Sequence, residues 1–271
     1  MVSAPATAQR PRRFLHARAA DTAELMDAPG ADLATLQRTY EQFGLVNSAV
    51  SGWRANYRRF IRPQLSTTRS TTLLDIGSGG GDLPLALAAW AASDGLRLQI
   101  TAIDPDARAH DFASTRPPVR GVTFRRAFSS ELVAEGARFD IVMSNHMLHH
   151  LSAAELGGLL WDSERLVRGP RPDASGDALG DTRSRPRLPR VLHGDITRSR
   201  LAYVGFALGT LPFARSLLEG SYIRQDGLTS IRRSFRPVEL EGALPAGWAV
   251  WPQSVFRYLL VHPGSDGALD G

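Results

Sequence analysis

The spacing of hydrophobic residues along this chain changes near residue 70. Before that point, apolar residues recur every three or four positions, which predicts one helix capped by Asp32 and a second from about Asn47 to Ile61. Beyond it, short apolar runs alternate with helical segments. The runs that predict strands are Thr72–Ile76, Leu96–Ile103, Gly121–Arg126, Phe139–Ser144, Val191–Ile196, Trp248–Trp251 and Val255–Val261. This alternation predicts an α/β fold with a doubly wound, mostly parallel seven-stranded sheet, closed by an antiparallel edge.

The same pattern predicts one Rossmann-like domain with additions at its ends and after the fifth strand. The helices near the N-terminus and the helical insertion after strand 5 lie outside the minimal sheet. The predicted segments are a disordered tail at 1–30, a helical cap at 31–66, the domain at 67–264 with a flexible loop at 168–190 and a helical lid at 199–234, and a disordered tail at 265–271.

Composition narrows the possible functions. The 271 residues are 43% hydrophobic and include no cysteine, which excludes disulfides, thiolate zinc sites and cysteine nucleophiles, and we expect no metal site. All 32 basic residues are arginine, and they are spread along the chain, so the net charge of +5 predicts no nucleic-acid partner. No apolar stretch is long enough to span a bilayer, and we expect a cytoplasmic protein of undetermined oligomeric state.

A glycine cluster follows the first predicted strand, at a turn that leads into a helix. Dinucleotide binding would require a third glycine where Asp82 stands, and a phosphate-binding P-loop would require lysine, which the chain lacks. The remaining pattern places Gly77, Gly79 and Gly81 after the acidic Asp75. It favours S-adenosylmethionine (SAM), because SAM has no phosphate and its ammonium group needs an anion such as Asp75.

The ends of the next strands supply further candidates for binding this cofactor. Asp104 ends the second strand, where an acid accepts hydrogen bonds from ribose hydroxyls, although it could also cap the next helix. Phe128 follows the third strand and could stack on adenine or lie in the core. The predicted cofactor-binding residues are Asp75, Gly77, Ser78, Gly79, Gly81, Asp82, Asp104, Pro105, Phe128 and Asn145.

Three motifs, LLDIGSGGGD, TAIDPD and FDIVMSNHMLHHL, occur in the order typical of one enzyme family. They resemble class I SAM-dependent methyltransferases of type 11/12 and, broadly, the quinone-biosynthesis C-methyltransferases. The stretches MDAPGADLATLQRTYEQFGLVN, HGDITRSRLAY and DGLTSIRRSFRPVEL are similar to bacterial methyltransferases found beside type III polyketide synthases. This resemblance implies O- or C-methylation of a phenolic or aromatic-lipid acceptor in secondary metabolism.

Two adjacent histidines, His149 and His150, follow the fourth strand at the edge where the methyl group is expected. Either could act as the general base for a phenol, or both could brace the following helix, and we expect only one to face the acceptor. The cap and the lid are expected to cover the acceptor. The predicted substrate-binding residues are Trp53, Asp195, Arg198, Tyr203 and Phe206.

Other functions remain compatible with the sequence. A nicotinamide or flavin oxidoreductase is disfavoured by the glycine spacing, and an RNA methyltransferase is supported only by the arginine content. The residues Asn145–Leu148 do not form the tetrad of amino methyltransferases that act on nucleic acid. A SAM-binding protein without turnover is the third alternative.

Overall fold

The computed structural model describes residues 14–50, 52–168, 188–254 and 256–264. Its centre is one seven-stranded sheet with the strand order β3-β2-β1-β4-β5-β7-β6. The strands are β1 (Thr71–Ile76), β2 (Leu98–Ile103), β3 (Val122–Arg125), β4 (Ile141–Asn145), β5 (Val191–Ile196), β6 (Ala249–Ser254) and β7 (Arg257–His262). All pairs are parallel except those of β7 with β5 and β6, so the predicted fold is confirmed.

The strand order reverses at the middle of the sheet, between β1 and β4. β1 pairs with β2 on one side and with β4 on the other, so the connections from these strands diverge. In open α/β sheets a crevice forms at such a switch, outside the carboxyl ends of the strands. The glycine loop after β1 and the histidines after β4 both lie at this edge.

Helices cover both faces of the sheet. They are α1 (Leu33–Val50), α2 (Trp53–Asn56), α3 (Asp82–Ser93), α4 (Ala107–Ser114), α5 (Ser129–Ala134), α6 (Ala153–Leu166), α7 (Arg200–Thr210), α8 (Ile223–Arg233) and α9 (Pro237–Glu241). Because side chains alternate along a strand, Leu73 and Leu259 belong to one core cluster, while their neighbours Leu74 and Leu260 belong to the other. Burial on both faces explains why these strands are continuous apolar runs.

The two N-terminal helices differ from the prediction. α1 continues to Val50, and a new helix begins at Trp53, so the predicted single helix from Asn47 to Ile61 is wrong. The break lies at Gly52, whose φ of 68° is the left-handed conformation that favours glycine. Over the described residues, no helix has the length and apolar character needed to cross a membrane.

Residues 14–31 form a segment that we call the N-terminal strap. The prediction placed residues 1–30 in a disordered tail, whereas residues 14–30 are hydrogen-bonded to the domain. The carboxylate of Asp226 on α8 accepts hydrogen bonds from the backbone N–H groups of Leu25 (2.7 Å) and Met26 (2.9 Å). The backbone N–H of Ala19 also donates to the carbonyl of Arg232. Residues 1–13, most of the predicted flexible loop (169–187) and the predicted C-terminal tail lie outside the described residues.

Trp53 was predicted to touch substrate, but it is a core residue. Its side chain is 1% exposed, packs in the cluster beneath α3, and donates a hydrogen bond to Asn145 Oδ1 at 2.7 Å. The helical spacing was correct, but it could not distinguish a face turned to the sheet from a face turned to a ligand.

Replacing Trp53 with alanine should therefore lower the free energy of unfolding by about 3–5 kcal/mol, the cost of removing a buried aromatic side chain. Trp161 is a matched control because it is 50% exposed on α6, and Trp161→Ala should cost less than about 1 kcal/mol. Urea unfolding of the three proteins measures both values. Equal effects of the two substitutions would contradict the core position of Trp53.

His193 on β5 is a buried polar residue. Its Nδ1 lies 2.8 Å from Ser144 Oγ and its Nε2 lies 3.1 Å from Ser163 Oγ. Burial lowers the pKa of His193 to about 3. The ring is therefore neutral in the folded protein throughout the physiological range.

This histidine should make the protein sensitive to acid. Above about pH 6.5, His193 is neutral in both the folded and the unfolded chain. Below that pH only the unfolded chain gains a proton at this residue. The free energy of unfolding therefore falls by up to about 1.4 kcal/mol per pH unit. His193→Gln retains a polar side chain that does not titrate, and should lose less stability between about pH 7 and pH 5. Urea unfolding across that range compares the two slopes, and identical slopes would contradict the prediction.

Candidate functional site

A cavity of about 860 Å³ lies at the switch point of the sheet. Its floor is the glycine loop and the end of β4, and its cover comes from α1, α7, α8 and the strap. Cavities that hold drug-sized ligands have volumes of about 300–1,000 Å³, so this one has room for a large ligand.

The glycine loop approaches the cavity with its backbone exposed. Gly77, Gly79 and Gly81 all have positive φ, and a Cβ added at Gly79 would meet no atom within 4 Å. Gly79 lines the cavity, so this open space belongs to whatever occupies the cavity. A Cβ at Gly81 would instead meet the ring of Phe124 at 2.7 Å. Gly81 does not belong to the cavity lining and permits the tight start of α3, so its contact with the cofactor stays a prediction.

Several carboxylates line this end of the cavity, and Asp104 is one of them. Asp104 Oδ2 accepts a hydrogen bond from the backbone N–H of Gly79, and its Oδ1 accepts one from Asp106. Asp106, not Asp104, caps α4, which removes the alternative role considered for Asp104. Burial raises the pKa of Asp104, and the neighbouring Asp106 raises it further.

Asp75 is a buried carboxylate whose negative charge has little compensation from neighbouring groups. It is 1% exposed, and its Oδ1 makes no hydrogen bond with any described residue. Burial raises its pKa well above the ordinary value, and the charges of Asp82 and Asp104 act in the same direction. A cationic ligand at this end of the cavity would satisfy the unpaired oxygen and reverse the shift.

Of the other residues predicted to bind the cofactor, four line the cavity and one does not. Ser78, Asp82, Pro105 and Asn145 line the cavity with the residues above. Phe128 does not: it is 61% exposed and precedes α5 as its N-cap, so the predicted stacking on a ligand in this cavity is wrong.

The two histidines after β4 lie on a short 3₁₀ turn, and both line the cavity. Their ring centroids are 4.3 Å apart, and the expectation that only one of them faces the acceptor stays a prediction. His149 Nδ1 lies 2.9 Å from Asp195 Oδ1, and its Nε2 lies 3.3 Å from Glu24 Oε1. His150 Nδ1 lies 3.0 Å from Asp27 Oδ2, and its Nε2 lies 3.8 Å from Glu24 Oε2.

The charges around His149 determine its protonation. Burial acts to lower its pKa, but the carboxylates of Asp195 and Glu24 outweigh burial and raise it to about 9. With no ligand bound, the ring is therefore charged at neutral pH and cannot accept a proton, which argues against His149 as the general base. The neighbouring His146 also lines the cavity, with a φ of 54°, and burial lowers its pKa to about 4.

Of the residues predicted to bind substrate, Phe206 lines the cavity and the others do not. Asp195 is hydrogen-bonded to the Nδ1 side of the His149 ring. Arg198 is buried, and its guanidinium donates to the carbonyls of Leu15, His16 and Ser234 and pairs with Glu239, so it joins the strap to the core. Tyr203 packs edge-to-face on Phe14 with centroids 4.9 Å apart. The predictions of substrate contact in this cavity for Asp195, Arg198 and Tyr203 are therefore wrong.

Several cavity residues were absent from the sequence predictions. Glu24 and Asp27 come from the strap, which has no helical or strand periodicity to mark it. His146 directly follows Asn145 and could have been noticed from its position at the end of β4. Ser230 on α8 donates a hydrogen bond to Glu24 at 2.8 Å, a contact across 206 positions that no local pattern indicates.

Three solved structures with similar folds are all methyltransferases. Plantazolicin methyltransferase BpumL, in complex with SAH and a desmethylPZN analog, is 10% identical with a TM-score of 0.49, covering 86% of this chain and 97% of its own. Magnesium protoporphyrin IX methyltransferase of Synechocystis PCC 6803, with SAM bound, is 11% identical with a TM-score of 0.44, and 88% of each chain is covered. An O-methyltransferase family protein of Burkholderia thailandensis is 17% identical with a TM-score of 0.49, covering 87% of this chain and 62% of its own.

Two sequence comparisons also match methyltransferases. A ubiquinone biosynthesis O-methyltransferase of Rhizobium etli is 34% identical over 86 residues, which is 31% of this chain. The aligned region spans about a third (32%) of that relative's length. Residues 73–169 match the family model described as a methyltransferase domain. That range runs from β1 through α6 and includes the glycine loop, Asp104 and both histidines, so this part of the chain is similar to a methyltransferase domain.

Proposed function

We propose that this protein transfers the methyl group of SAM to a small, largely apolar acceptor that carries a hydroxyl group or a nucleophilic carbon. The observation that carries the proposal is the cavity at the switch point. One end is lined by the glycine loop and buried carboxylates, and the remainder by apolar side chains and a pair of histidines.

The carboxylate end fits SAM. SAM carries an ammonium group and a sulfonium, and the buried, unpaired Oδ1 of Asp75 provides the anion that such a cation needs. Asp104 is held by two backbone N–H groups, which leaves lone pairs on both oxygens for ribose hydroxyls. The open space over Gly79 allows the ligand to approach the backbone closely.

The lining of the other end favours an apolar acceptor. The apolar side chains that line the cavity include Met26, Phe43, Phe206, Ile223, Ile231 and Phe256. Such a surface binds a flat aromatic or lipid-like molecule and gives no compensation for the phosphates of RNA. The resemblance to enzymes found beside polyketide synthases and the O-methyltransferase relative from ubiquinone biosynthesis both support a phenolic or quinol acceptor. Secondary metabolism and the cytoplasm remain predictions.

When SAM is bound, it supplies an electrophilic methyl group, so the chain itself must position the acceptor and exclude water. The strap, α1, α7 and α8 cover the cavity and hold the acceptor against the sheet edge. The histidine pair with Glu24 forms the polar side of the acceptor end, where an acceptor hydroxyl finds hydrogen-bond partners. A phenol bound there is oriented before it loses its proton.

The proposed function is tested by incubating the full chain with methyl-labelled SAM and a panel of alkylresorcinols, quinols and RNA. We expect label in the phenolic or quinol products and none in RNA. Mass spectrometry of ligands released from the purified protein supplies a second readout. Release of a nicotinamide or flavin nucleotide, or label in RNA alone, would contradict the proposal.

Asp104→Asn should weaken SAM binding about 10- to 100-fold, because it removes the charge that strengthens the hydrogen bonds to ribose. Asp111 on α4 is a matched control, since its side chain is 80% exposed, and Asp111→Asn should leave the affinity unchanged. Isothermal titration calorimetry measures both. An unchanged affinity in Asp104→Asn would remove this aspartate from the SAM site.

Phe206→Ala should raise the acceptor KM or lower kcat while leaving SAM affinity nearly unchanged. Its ring packs against Gly227 and lines the cavity, so its loss widens only the acceptor end. Leu208 lies on the same helix and is 63% exposed, and Leu208→Ala is expected to behave like the unmodified protein. A large loss of SAM affinity in Phe206→Ala would show that this ring does not belong to a separate acceptor region.

A further inference from the structure

Glu24, His149 and His150 form a compact set of possible metal ligands at the cavity wall. One ligand atom from each lies within 4.8 Å of the others. The glutamate oxygens lie 3.3 Å from His149 Nε2 and 3.8 Å from His150 Nε2. A tetrahedral zinc ion with bonds of about 2.0–2.2 Å holds its ligand atoms about 3.4 Å apart, so small side-chain rotations would complete the coordination.

The hydrogen-bond partners of these three side chains resemble those found around metal centres. The carboxylates of Asp195 and Asp27 lie 2.9 and 3.0 Å from the Nδ1 atoms of His149 and His150. Each Nδ1 therefore carries its hydrogen toward a carboxylate, and each Nε2 faces Glu24. Ser230 donates a hydrogen bond to Glu24. A carboxylate behind each ligating histidine and a hydrogen bond to the ligating carboxylate are recurrent features of metal sites in proteins.

The charges of the cluster also favour a cation. The carboxylates of Glu24, Asp27 and Asp195 supply three negative charges. The nearest arginines with observed contacts are Arg18, which donates to the carbonyl of His149, and Arg233, which lies 3.8 Å from Asp27. A divalent ion between the three ligands would take the place of the proton on His149 and would face the same three carboxylates.

We propose that Glu24, His149 and His150 bind a divalent transition-metal ion of the zinc type, with the acceptor's oxygen at an open coordination position facing the cavity. The assignment of the acceptor rests on the proposed function. A bound ion would make the hydroxyl more acidic: the O–H bond would break as the oxygen bound the ion, and the proton would be released to solvent as the acceptor enters, before the site excludes water. The oxygen then attacks the methyl group, a C–O bond forms, the C–S bond breaks, and SAH leaves with the electron pair on sulfur. This site revises the expectation from the sequence that no metal binds.

Titration of the EDTA-treated full chain with Co²⁺ tests the site without SAM or acceptor. We expect visible absorption bands of a four- or five-coordinate ion, abolished by competing Zn²⁺. Glu24→Gln should weaken Co²⁺ binding at least about 100-fold, and Asp27→Asn, which removes the charge of the carboxylate behind His150, about 10- to 100-fold. His110→Gln is the control, because His110 lies on α4 beside Asp111, outside the cluster.

Absence of the bands, or Co²⁺ binding unchanged in Glu24→Gln, would overturn the metal site, and the cluster would then be a buried ion pair around a protonated His149. Circular dichroism of each variant separates loss of ligands from loss of fold. SAM affinity measured in the same samples separates the two proposals. SAM binding without Co²⁺ binding would remove only the metal, and Co²⁺ binding without SAM binding would remove only the proposed function.

Discussion

Burial of negative charge is the constraint on which this site depends. Glu24, Asp75 and Asp195 are each no more than 3% exposed and line or support one cavity. Burying an uncompensated carboxylate is costly, so each of them needs a cation or several hydrogen bonds. Asp195 obtains both from His149 and two backbone N–H groups, and Glu24 obtains them from His149 and Ser230. Asp75 has no such compensation among the described residues, so its end of the cavity is suited to a cationic ligand.

The fold separates two tasks that a transferase must combine. The parallel strands and the glycine loop provide a rigid edge whose geometry follows from backbone pairing. The cover, by contrast, comes from segments distant in sequence, the strap, α1, α7 and α8, which contact one another through side chains such as Asp226 and Tyr222. Variation in the cover can therefore change the acceptor without disturbing the edge that receives the cofactor.

What could be predicted from the sequence follows this division. The strands, the glycine loop and Asp104 were identified because they depend on local periodicity and on the position of residues at strand ends. Arg198 and Glu24 could not be placed, because their partners lie 41 and 206 positions away and no nearby residue marks the pairing. Trp53 and Phe128 show the same limit, since a hydrophobic residue at the correct spacing can face the core, a ligand or solvent.

The strap contacts both the histidines of the cavity and the helix α8. Its carboxylates reach histidines about 123 positions further along the chain, while Asp226 holds its backbone on α8. By thermodynamic linkage, any ligand that prefers the closed strap stabilises the closed strap by the same free energy. Occupation of the cavity should therefore slow the cleavage of residues 14–31 by a protease, even for a ligand that undergoes no reaction.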